Sequence, residues 1–444
     1  MSQKVTLVGG GLAGSLLAIF LAKKGYKVTI YEKRPDMRGN DYEGGRSINL
    51  AMSERGLRAL RKLGLEKDIL DIGIPMLGRM IHGEEGQLKY QPYGHNDQAI
   101  HSVSRGLLNV KLLQMADSME NIDMHFDHDC TEANLYTGET YYTNKEGIAV
   151  HDQADWVIAT DGAYSAVRGA FQRSGRFNYS QTYEEHGYKE LEILPNAEGG
   201  FAMNKNCLHI WPRKSYMMIA LPNPDATFTC TLFMPFNGDP GFDDLKTTAE
   251  VEALFNSKFM DAVPMMPNYL KDFKENPVGS LVTMRCYPWV RGKSALLGDS
   301  AHAIVPFYGQ GMNSCFEDCA ALSDYLDQTN NNMAEALEMY QNSRVENGNA
   351  IADLALKNFV EMRDWVGQPE FLARKAIEHE LSELYAHEYK TQYELVTFAD
   401  VSYKYAWDMG AKNDALINHI IEHKLEGKFT DRDYMLGLFK DYLS

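Results

Sequence analysis

The sequence predicts an α/β protein in which a Rossmann-like dinucleotide-binding domain carries an inserted antiparallel-sheet substrate domain and is followed by a helical C-terminal region. Three observations support this fold class: a glycine fingerprint between a strand-like and a helical run, short strand-like runs separated by turns between residues 176 and 290, and helical periodicity after Asp318. The expected domains are residues 1–72, 101–175 and 281–330 for nucleotide binding, 73–100 and 176–280 for the substrate domain, and 331–444 for the helical region.

The first element is a βαβ unit with the fingerprint Gly9-x-Gly11-x-x-Gly14. These glycines provide a tight turn at Gly9, the approach of a pyrophosphate at Gly11 and close helix–strand packing at Gly14. Glu32 ends the second strand, where it can accept hydrogen bonds from a ribose. The unit therefore predicts a bound dinucleotide, but enzymes that use NAD and enzymes that use FAD share it, so it does not distinguish between them.

Two helices follow, and an arginine lies near the start of each. The first helix is expected to begin after Ser53 and to end at Gly64. Arg46 precedes it, either as a phosphate or substrate contact or as an ion-paired surface residue. Ser102-Val-Ser-Arg105 leads into the second helix, which makes Arg105 a further candidate phosphate contact.

A β-hairpin is predicted from two extended runs, residues 76–82 and 87–93, with a glycine-containing turn between them. Strand alternation places Arg79 on the apolar face of the first run, where a guanidinium needs an anion to offset its desolvation. From the pattern alone, a protein carboxylate is the favoured partner and a substrate carboxylate is the alternative. Tyr93 is either a core ring or a pocket hydroxyl.

A later buried strand ends in Asp161, and an acid at the carboxyl end of a sheet strand lies where α/β sheets hold ligands. A further short strand, Ala295-Leu296-Leu297, is stopped by Gly298-Asp299. After Asp299, a loop containing Gly309 and Gly311 leads to a helix that we expect to start near Met312. Because glycine has no Cβ and a helix start has unpaired N–H groups, this loop is suited to close contact with a ligand.

The C-terminal third carries two helical stripes. On the run 332–366, Asn358, Glu361 and Met362 share one face. The second stripe, spaced i, i+4 and i+8, consists of Tyr385, Tyr389 and Tyr393. The pattern alone favours core packing over ligand contact for both stripes.

Composition excludes several functions. A net charge of −17 and a pI near 5.2 give no basic surface for nucleic acid. No apolar run approaches the roughly 20 residues that span a bilayer, and no cleavable signal precedes the first strand, so we expect a cytoplasmic protein. The six cysteines lack metal-ligand spacing, and Cys315 and Cys319 are expected to be packing thiols on a helix.

Three motifs, in this order, resemble the class A flavoprotein aromatic hydroxylases: the glycine fingerprint with Glu32, Thr160-Asp161-Gly162, and Leu297-Gly298-Asp299-Ser300-Ala301-His302. That class binds FAD in a single nucleotide-binding fold and consumes NADPH and O₂. The resemblance implies that Asp299 contacts the ribityl chain, that residues 309–313 lie against the isoalloxazine, and that Arg105 meets the pyrophosphate. The implied cofactor-binding residues are Gly9, Gly11, Gly14, Glu32, Arg105, Asp161, Asp299, Gly311, Met312 and Asn313.

A more specific set of motifs resembles, over nearly the full chain, the branch of this class that hydroxylates kynurenine. These motifs are Arg46-Ser-Ile-Asn-Leu-Ala51, Gly78-Arg-Met-Ile-His82, Tyr93-Gly94, Ser102-Val-Ser-Arg105, Pro306-Phe-Tyr-Gly-Gln-Gly-Met-Asn313 and Asn358-Phe-Val-Glu-Met362. The resemblance implies that the amino-acid end of the substrate is held by Arg79, Tyr93, Asn358 and Tyr393. It implies that the pocket beside the flavin is lined by Phe307, Tyr308, Glu361 and Met362. The preference for a protein carboxylate at Arg79 is thereby reversed, and Tyr393 moves from core to ligand.

The function implied by this resemblance is 3-hydroxylation of L-kynurenine, with chemistry carried by the flavin and neither a catalytic side chain nor a metal required. Two alternatives are a related flavin hydroxylase acting on another aromatic acid, and a non-enzymatic binding protein on a flavoprotein fold. The sequence departs from the family pattern at Cys315, where such enzymes tend to have a smaller residue. It also has no apolar run to match the C-terminal membrane anchor of eukaryotic members, so we expect no membrane span.

Overall fold

The structure, a computed structural model, describes residues 2–39, 49–94, 98–362 and 368–443, and Arg46 lies outside the described residues. The strands, in chain order, are β1 (Lys4–Val8), β2 (Lys27–Tyr31), β3 (Asn49–Met52), β4 (Ile74–Met76), β5 (Gly78–His82), β6 (Leu88–Pro92), β7 (Ile100–Ser104), β8 (Ile122–His125), β9 (His128–Asn134), β10 (Glu139–Asn144), β11 (Ala149–Gln153), β12 (Trp156–Ala159), β13 (Asn178–Ile193), β14 (Cys207–Arg213), β15 (Tyr216–Pro222), β16 (Phe228–Pro235), β17 (Gly279–Tyr287), β18 (Val290–Arg291) and β19 (Ser294–Leu296). The helices are α1 (Leu12–Lys23), α2 (Glu54–Leu63), α3 (Glu66–Leu70), α4 (Arg105–Asp117), α5 (Ala166–Arg173), α6 (Thr248–Lys258), α7 (Tyr269–Glu275), α8 (Asp299–His302), α9 (Gly311–Gln328), α10 (Met333–Val360), α11 (Pro369–Leu384), α12 (Gln392–Thr397), α13 (Tyr403–His423) and α14 (Arg432–Leu443).

A six-stranded sheet, ordered β18-β19-β12-β1-β2-β8, forms the nucleotide-binding half. All its pairings are parallel except β18 with β19, and its central strands are apolar and fully buried, as expected where helices cover both faces. Chain order reverses around β1, which is flanked by β2 and β12. In α/β sheets the ligand crevice lies at such a reversal, beyond the carboxyl ends of the strands. The predicted βαβ unit is confirmed, and Gly9, Glu32 and Asp161 all follow strands at this edge.

A seven-stranded, mostly antiparallel sheet, ordered β17-β13-β16-β15-β14-β5-β6, forms the second half. One face packs against α6 and α7 around Phe255 and Phe259, while the other face turns Phe233 toward Phe307 and α10. The predicted hairpin is β5 with β6, and β5 also pairs in parallel with β14. This sheet extends along β17 to Tyr287, beyond the domain boundary expected at residue 280.

The helical region begins with α10, a 28-residue helix capped by Asn332. The expectation of one tyrosine stripe along a single helix is wrong. Helix α11 ends at Leu384, and a new helix, α12, starts after Thr391, whose capping box with Glu394 provides a separate helix start. The residues of the expected stripe consequently separate: Tyr385 and Tyr389 join a core with α13 and α14, whereas Tyr393 lies elsewhere, among residues of β7 and β15.

The loop expected after Asp299 contains more helix than the sequence predicts. Residues 299–302 form the short helix α8, and Pro306–Tyr308 form a 3₁₀ turn. Ser300 explains the first turn, since its hydroxyl donates to the carbonyl of Ala159 at 2.7 Å and accepts from the backbone N–H of Leu297 at 3.0 Å, which fixes the chain against β12. The next helix, α9, starts at Gly311, one residue before the expected position.

Candidate active site

A cavity of about 420 Å³ lies between the carboxyl edge of the six-stranded sheet, the inner face of the seven-stranded sheet, Met362 after the end of α10, and helix α12. One end is bounded by loop and helix-start residues, including Gly11, Gly162, Asp299 and Gly311. The other end is bounded by aromatic and apolar side chains around Arg79. The cavity is thus suited to a polar, phosphate-bearing group at one end and an aromatic ligand at the other.

The glycine fingerprint forms a cradle at the first end. A Cβ at Gly9, whose φ is +103°, would lie 2.5 Å from the carbonyl oxygen of Thr160. A Cβ at Gly14 would lie 2.0 Å from the carbonyl oxygen of Gly9. Gly11, by contrast, has no atom within 4 Å of its Cβ position and borders the cavity. Gly9 and Gly14 therefore allow the close packing, and Gly11 leaves space where a pyrophosphate would lie.

Glu32 is buried directly after β2. Its carboxylate accepts hydrogen bonds from the backbone N–H of Gly10 at 2.7 Å and from Arg34 Nε at 2.8 Å. Burial disfavours the ionised form, but the hydrogen bonds and charge of Arg34 outweigh this, and the pKa of Glu32 lies below its ordinary value. An ionised acceptor therefore stands beside the glycine turn, where a ribose hydroxyl is expected.

Three predicted cofactor residues surround this end in different ways. Arg105 and Asp299 both border the cavity and are exposed, so both are available to a ligand. Asp161 is turned toward α5, whose first N–H, that of Ala166, it meets at 2.8 Å, and its second oxygen is buried without a partner. Burial raises the pKa of Asp161, with a hydrogen bond from Ser165 opposing the shift. Contact of these three with a cofactor remains a prediction.

The loop before α9 is fixed by Asn313, which is fully buried. Its side-chain oxygen accepts from the backbone N–H of Ser53 at 3.0 Å, and its amide donates to the carbonyls of Ala51 and Gly309, both at 2.8 Å. Asn313 therefore fastens the loop to β3, while Gly311 and Met312 border the cavity. The side chain of Asn313 is fully used in this way, so the implied cofactor contact of this residue stays a prediction.

Arg79 lies at the opposite end with its guanidinium beside two stacked tyrosines. Its central carbon is 4.7 Å from the ring centre of Tyr393 and 5.4 Å from that of Tyr93, and these two rings stack at 5.3 Å. Burial disfavours the charge, but contacts with Tyr393 and Tyr93 keep the pKa of Arg79 above its ordinary value. Arg79 Nε and the Tyr93 hydroxyl are buried with no hydrogen-bond partner, and no carboxylate of the described residues pairs with this guanidinium.

The middle of the cavity is aromatic. Phe307 stacks on Phe359 at 4.1 Å and lies 5.0 Å from Phe233, while Tyr308 stacks on Tyr393 at 5.8 Å. Phe233 and other inward-facing residues of the seven-stranded sheet were not identified from the sequence as site residues. The alternation of their strands was the available signal, since it separates a helix-covered face from a face turned to the cavity.

The α10 residues differ in their positions. Met362 borders the cavity, but Asn358 lies behind its wall and donates to the Phe307 carbonyl at 2.7 Å. Glu361 faces a separate cavity of about 320 Å³, with Lys357 one turn away. Burial raises the pKa of Glu361, with Lys375 opposing the shift. The structure thus brings Arg79, Tyr93, Tyr393, Phe307, Tyr308 and Met362 together, and places Asn358 and Glu361 outside this group.

Comparison with known proteins also indicates a protein that binds FAD. A family model described as an FAD binding domain matches residues 2–355. The chain is 45% identical over 421 residues to the kynurenine 3-monooxygenase of Myxococcus xanthus, which covers 94% of this chain and 90% of that protein. It is 42% identical over 462 residues to the kynurenine 3-monooxygenase of Dictyostelium discoideum, which covers 100% of this chain and 99% of that protein.

Two solved structures share the fold. A variant of 2-methyl-3-hydroxypyridine-5-carboxylic acid oxygenase has a TM-score of 0.66 at 20% identity, covering 83% of this chain and 95% of that chain. The p-nitrophenol 4-monooxygenase of Pseudomonas putida has a TM-score of 0.66 at 17% identity, covering 86% and 94%. The predicted fold class is confirmed. Within the described residues, every helix is too short or too polar to cross a bilayer.

Proposed function

We propose, because this chain belongs to the kynurenine 3-monooxygenase family, that it is an FAD-dependent enzyme that hydroxylates L-kynurenine at ring position 3 with NADPH and O₂. The glycine cradle, Glu32 and the loop before α9 fit FAD, since the space beside Gly11 accepts a pyrophosphate and Glu32 offers an ionised acceptor to the ribose. When bound, FAD supplies electron transfer from NADPH and activation of O₂ for transfer to the aromatic ring.

The observation that carries the proposed substrate is Arg79, which is half-buried, borders the cavity and has no carboxylate partner among the described residues. A guanidinium that is partly withdrawn from water without a counter-ion is costly. Arg79 Nε and the hydroxyl of Tyr93, whose ring centre lies 5.4 Å from the guanidinium carbon, both lack a hydrogen-bond partner. The α-carboxylate of an aromatic amino acid would satisfy both groups at once, because a guanidinium and a phenol are both strong donors to an anionic oxygen. This supports a substrate carboxylate at Arg79, as the family resemblance implies.

The remaining side chains orient the substrate and exclude water. The rings of Phe307 and Tyr308 form apolar surface between Arg79 and the loop that faces the flavin position. Holding the carboxylate at Arg79 and the aryl ring against these side chains leaves the substrate one orientation relative to that loop. No side chain needs to act as acid, base or nucleophile, because the proposed ring chemistry is carried by the cofactor.

The test is substrate-stimulated NADPH oxidation by the purified holoenzyme with identification of the product. We expect L-kynurenine to accelerate NADPH oxidation and to yield 3-hydroxykynurenine in near-stoichiometric amount. A matched set of aromatic acids without the amino-acid side chain, such as salicylate and 4-hydroxybenzoate, should not be hydroxylated. Turnover of one of these acids, with no response to kynurenine, would assign the chain to a different substrate, and a colourless protein without flavin would contradict the whole assignment.

A further inference from the structure

Arg55 is an arginine of α2 that lies outside the cavity and is only 1% exposed. It stands where the nucleotide-binding half meets the C-terminal helices. We propose that Arg55 is a positioning residue that caps the carboxyl end of α12 and thereby holds Tyr393 beside Arg79. This inference rests on the proposed function, because it concerns how the substrate end of the same cavity is assembled.

Helix α12 needs such support because it has six residues. Isolated helices of that length are unstable in water, and the last carbonyls of any helix have no partner within it. The start of α12 is closed by the Thr391 capping box. At its end, Arg55 donates through Nε to the carbonyl of Val396 and through Nη2 to the carbonyl of Leu395 at 3.1 Å. A cation at this end also favours the helix dipole.

The other contacts of Arg55 fix the guanidinium itself. Nη2 also donates to the carbonyl of Val401 at 2.8 Å, in the turn before α13, and Nη1 pairs with Glu317 at 2.6 Å. The guanidinium lies 4.0 Å from the ring centre of Tyr403. Glu317 supplies the counter-charge that a buried arginine requires, and it belongs to α9. Arg55 therefore contacts α12, α13 and α9 with one rigid group.

The same group reaches toward the flavin end. Arg55 stacks over the ring of Tyr403. The hydroxyl of Tyr403 donates to the side-chain oxygen of Gln310 at 2.9 Å. Gln310 directly precedes α9, whose first residues, Gly311 and Met312, border the cavity. The contacts of Arg55 thus connect the helix that carries Tyr393 with the loop expected beside the isoalloxazine.

Tyr393 depends on this arrangement because it is the second residue of α12, at the end remote from Arg55. With Thr391 closing one end and Arg55 the other, the helix has a fixed axis, and Tyr393 is held in its stack with Tyr93 and Tyr308. If the Arg55 end is released, we expect the helix to fray and Tyr393 to leave its place over the guanidinium of Arg79. Displacements of about 1 Å at a substrate-positioning group are enough to change binding and rate.

The test compares Arg55→Met with Arg61→Met in the holoenzyme. Arg61 lies on the same helix, but its side chain is 49% exposed and, among the residues that the structure describes, its ion-pair partners are Glu54 and Glu66, so it controls for loss of an arginine from α2. In Arg55→Met we expect faster amide hydrogen exchange in residues 392–397. We also expect a dissociation constant for L-kynurenine raised about tenfold, the scale of one charge-assisted hydrogen bond, and more peroxide per NADPH oxidised. Arg61→Met should match the parent in all three.

A double-substitution cycle separates positioning from general stability. If Arg55 acts through Tyr393, then Arg55→Met in a Tyr393→Ala background should change kynurenine affinity by less than about twofold. Fully additive effects, or unchanged exchange in 392–397, would overturn the proposal, as would equal losses in NADPH and kynurenine affinity. If Arg55→Met does not fold, Arg55→Lys keeps the charge beside Glu317 but loses the forked donors, and it should show the same changes at smaller size. The exchange measurement needs no substrate, so it tests the capping role even if kynurenine is not the substrate.

Discussion

Replacing Arg79 with methionine tests the proposed substrate site most directly, because the two possible partners of this arginine predict opposite results. If a protein carboxylate were paired with Arg79, replacing Arg79 would leave that carboxylate buried without a partner and destabilise the fold by about 3 to 5 kcal/mol. The structure instead shows a half-buried arginine whose buried Nε has no partner, with no carboxylate of the described residues beside it. Methionine fills similar space without a charge, so Arg79→Met should leave the free protein as stable as the parent or more stable.

Binding should change in the other direction. Losing one partner of a buried, hydrogen-bonded charge pair costs about 2 to 5 kcal/mol. At about 1.4 kcal/mol for each factor of ten, the dissociation constant for L-kynurenine should rise by about 30- to 4,000-fold. The tyrosine rings at 4.7 and 5.4 Å already stabilise the free guanidinium through cation–π contact, which places the expected value toward the lower part of that range.

The assay is titration of the flavin absorbance change with L-kynurenine in the absence of NADPH, together with thermal unfolding of the same samples. Arg213 on the neighbouring strand β14 provides a matched control, because it is buried but donates to the carbonyls of His82 at 2.9 Å and Lys258 at 2.6 Å. Arg213→Met should lower the melting temperature and leave the dissociation constant of correctly folded protein near that of the parent. Unchanged kynurenine affinity in Arg79→Met, with a lowered melting temperature, would show Arg79 to be a structural arginine and refute the reasoning.

Two further predictions concern the glycine cradle and Glu361, which faces the separate cavity. In Gly14→Ala the new Cβ would lie 2.0 Å from the Gly9 carbonyl oxygen, so the glycine turn must open. The purified variant should therefore lack visible flavin absorbance. Gly437→Ala is the control, since nothing lies within 4 Å of its Cβ position, and it should keep the flavin absorbance. Burial raises the pKa of Glu361, so between its ordinary value of 4.5 and the raised value the folded state binds more protons than the unfolded state and stability falls as pH rises. Glu361→Gln should therefore have a higher melting temperature than the parent at neutral pH, and the difference in melting temperature should shrink as pH falls toward 4.5. A difference that does not depend on pH would contradict this.

The flavin end could be predicted from the sequence because its determinants are local. Gly9, Gly14 and Glu32 lie within one βαβ unit. Parallel pairing brings the carboxyl ends of β1, β2 and β12 to one edge of the sheet, and this does not depend on how the rest of the chain folds. The same holds for the hairpin of β5 and β6, which a turn between two alternating runs suffices to define. Local patterns therefore located both the cradle and the strand that carries Arg79.

The substrate end could not be predicted in this way, because what surrounds Arg79 comes from remote parts of the chain. Strand alternation placed Arg79 on the apolar face of its strand, where a protein carboxylate is the common partner of an arginine. The pattern therefore favoured a protein carboxylate, which none of the described residues supplies. Only the fold shows that the neighbours of Arg79 are Tyr93 and Tyr393. Helical spacing misplaced Tyr393 for a related reason, since the capping box at Thr391 starts a new helix where the tyrosine period suggests continuity.

Transferring residue roles from a family by sequence position identifies residues near the site. The structure shows that such residues can have different roles there. Asn358 was expected to hold the amino-acid end of the substrate, yet its amide donates to the Phe307 carbonyl at 2.7 Å from behind the cavity wall. That hydrogen bond fixes the backbone of Phe307, whose ring lines the cavity. In the same way, we propose that Arg55 fixes the helix that carries Tyr393. Substitution of either residue would weaken kynurenine binding, so affinity alone does not separate a ligand contact from a support of the wall. Coupling to the supported side chain does, because a supporting residue loses its effect once Phe307 or Tyr393 is truncated, whereas a direct contact keeps it.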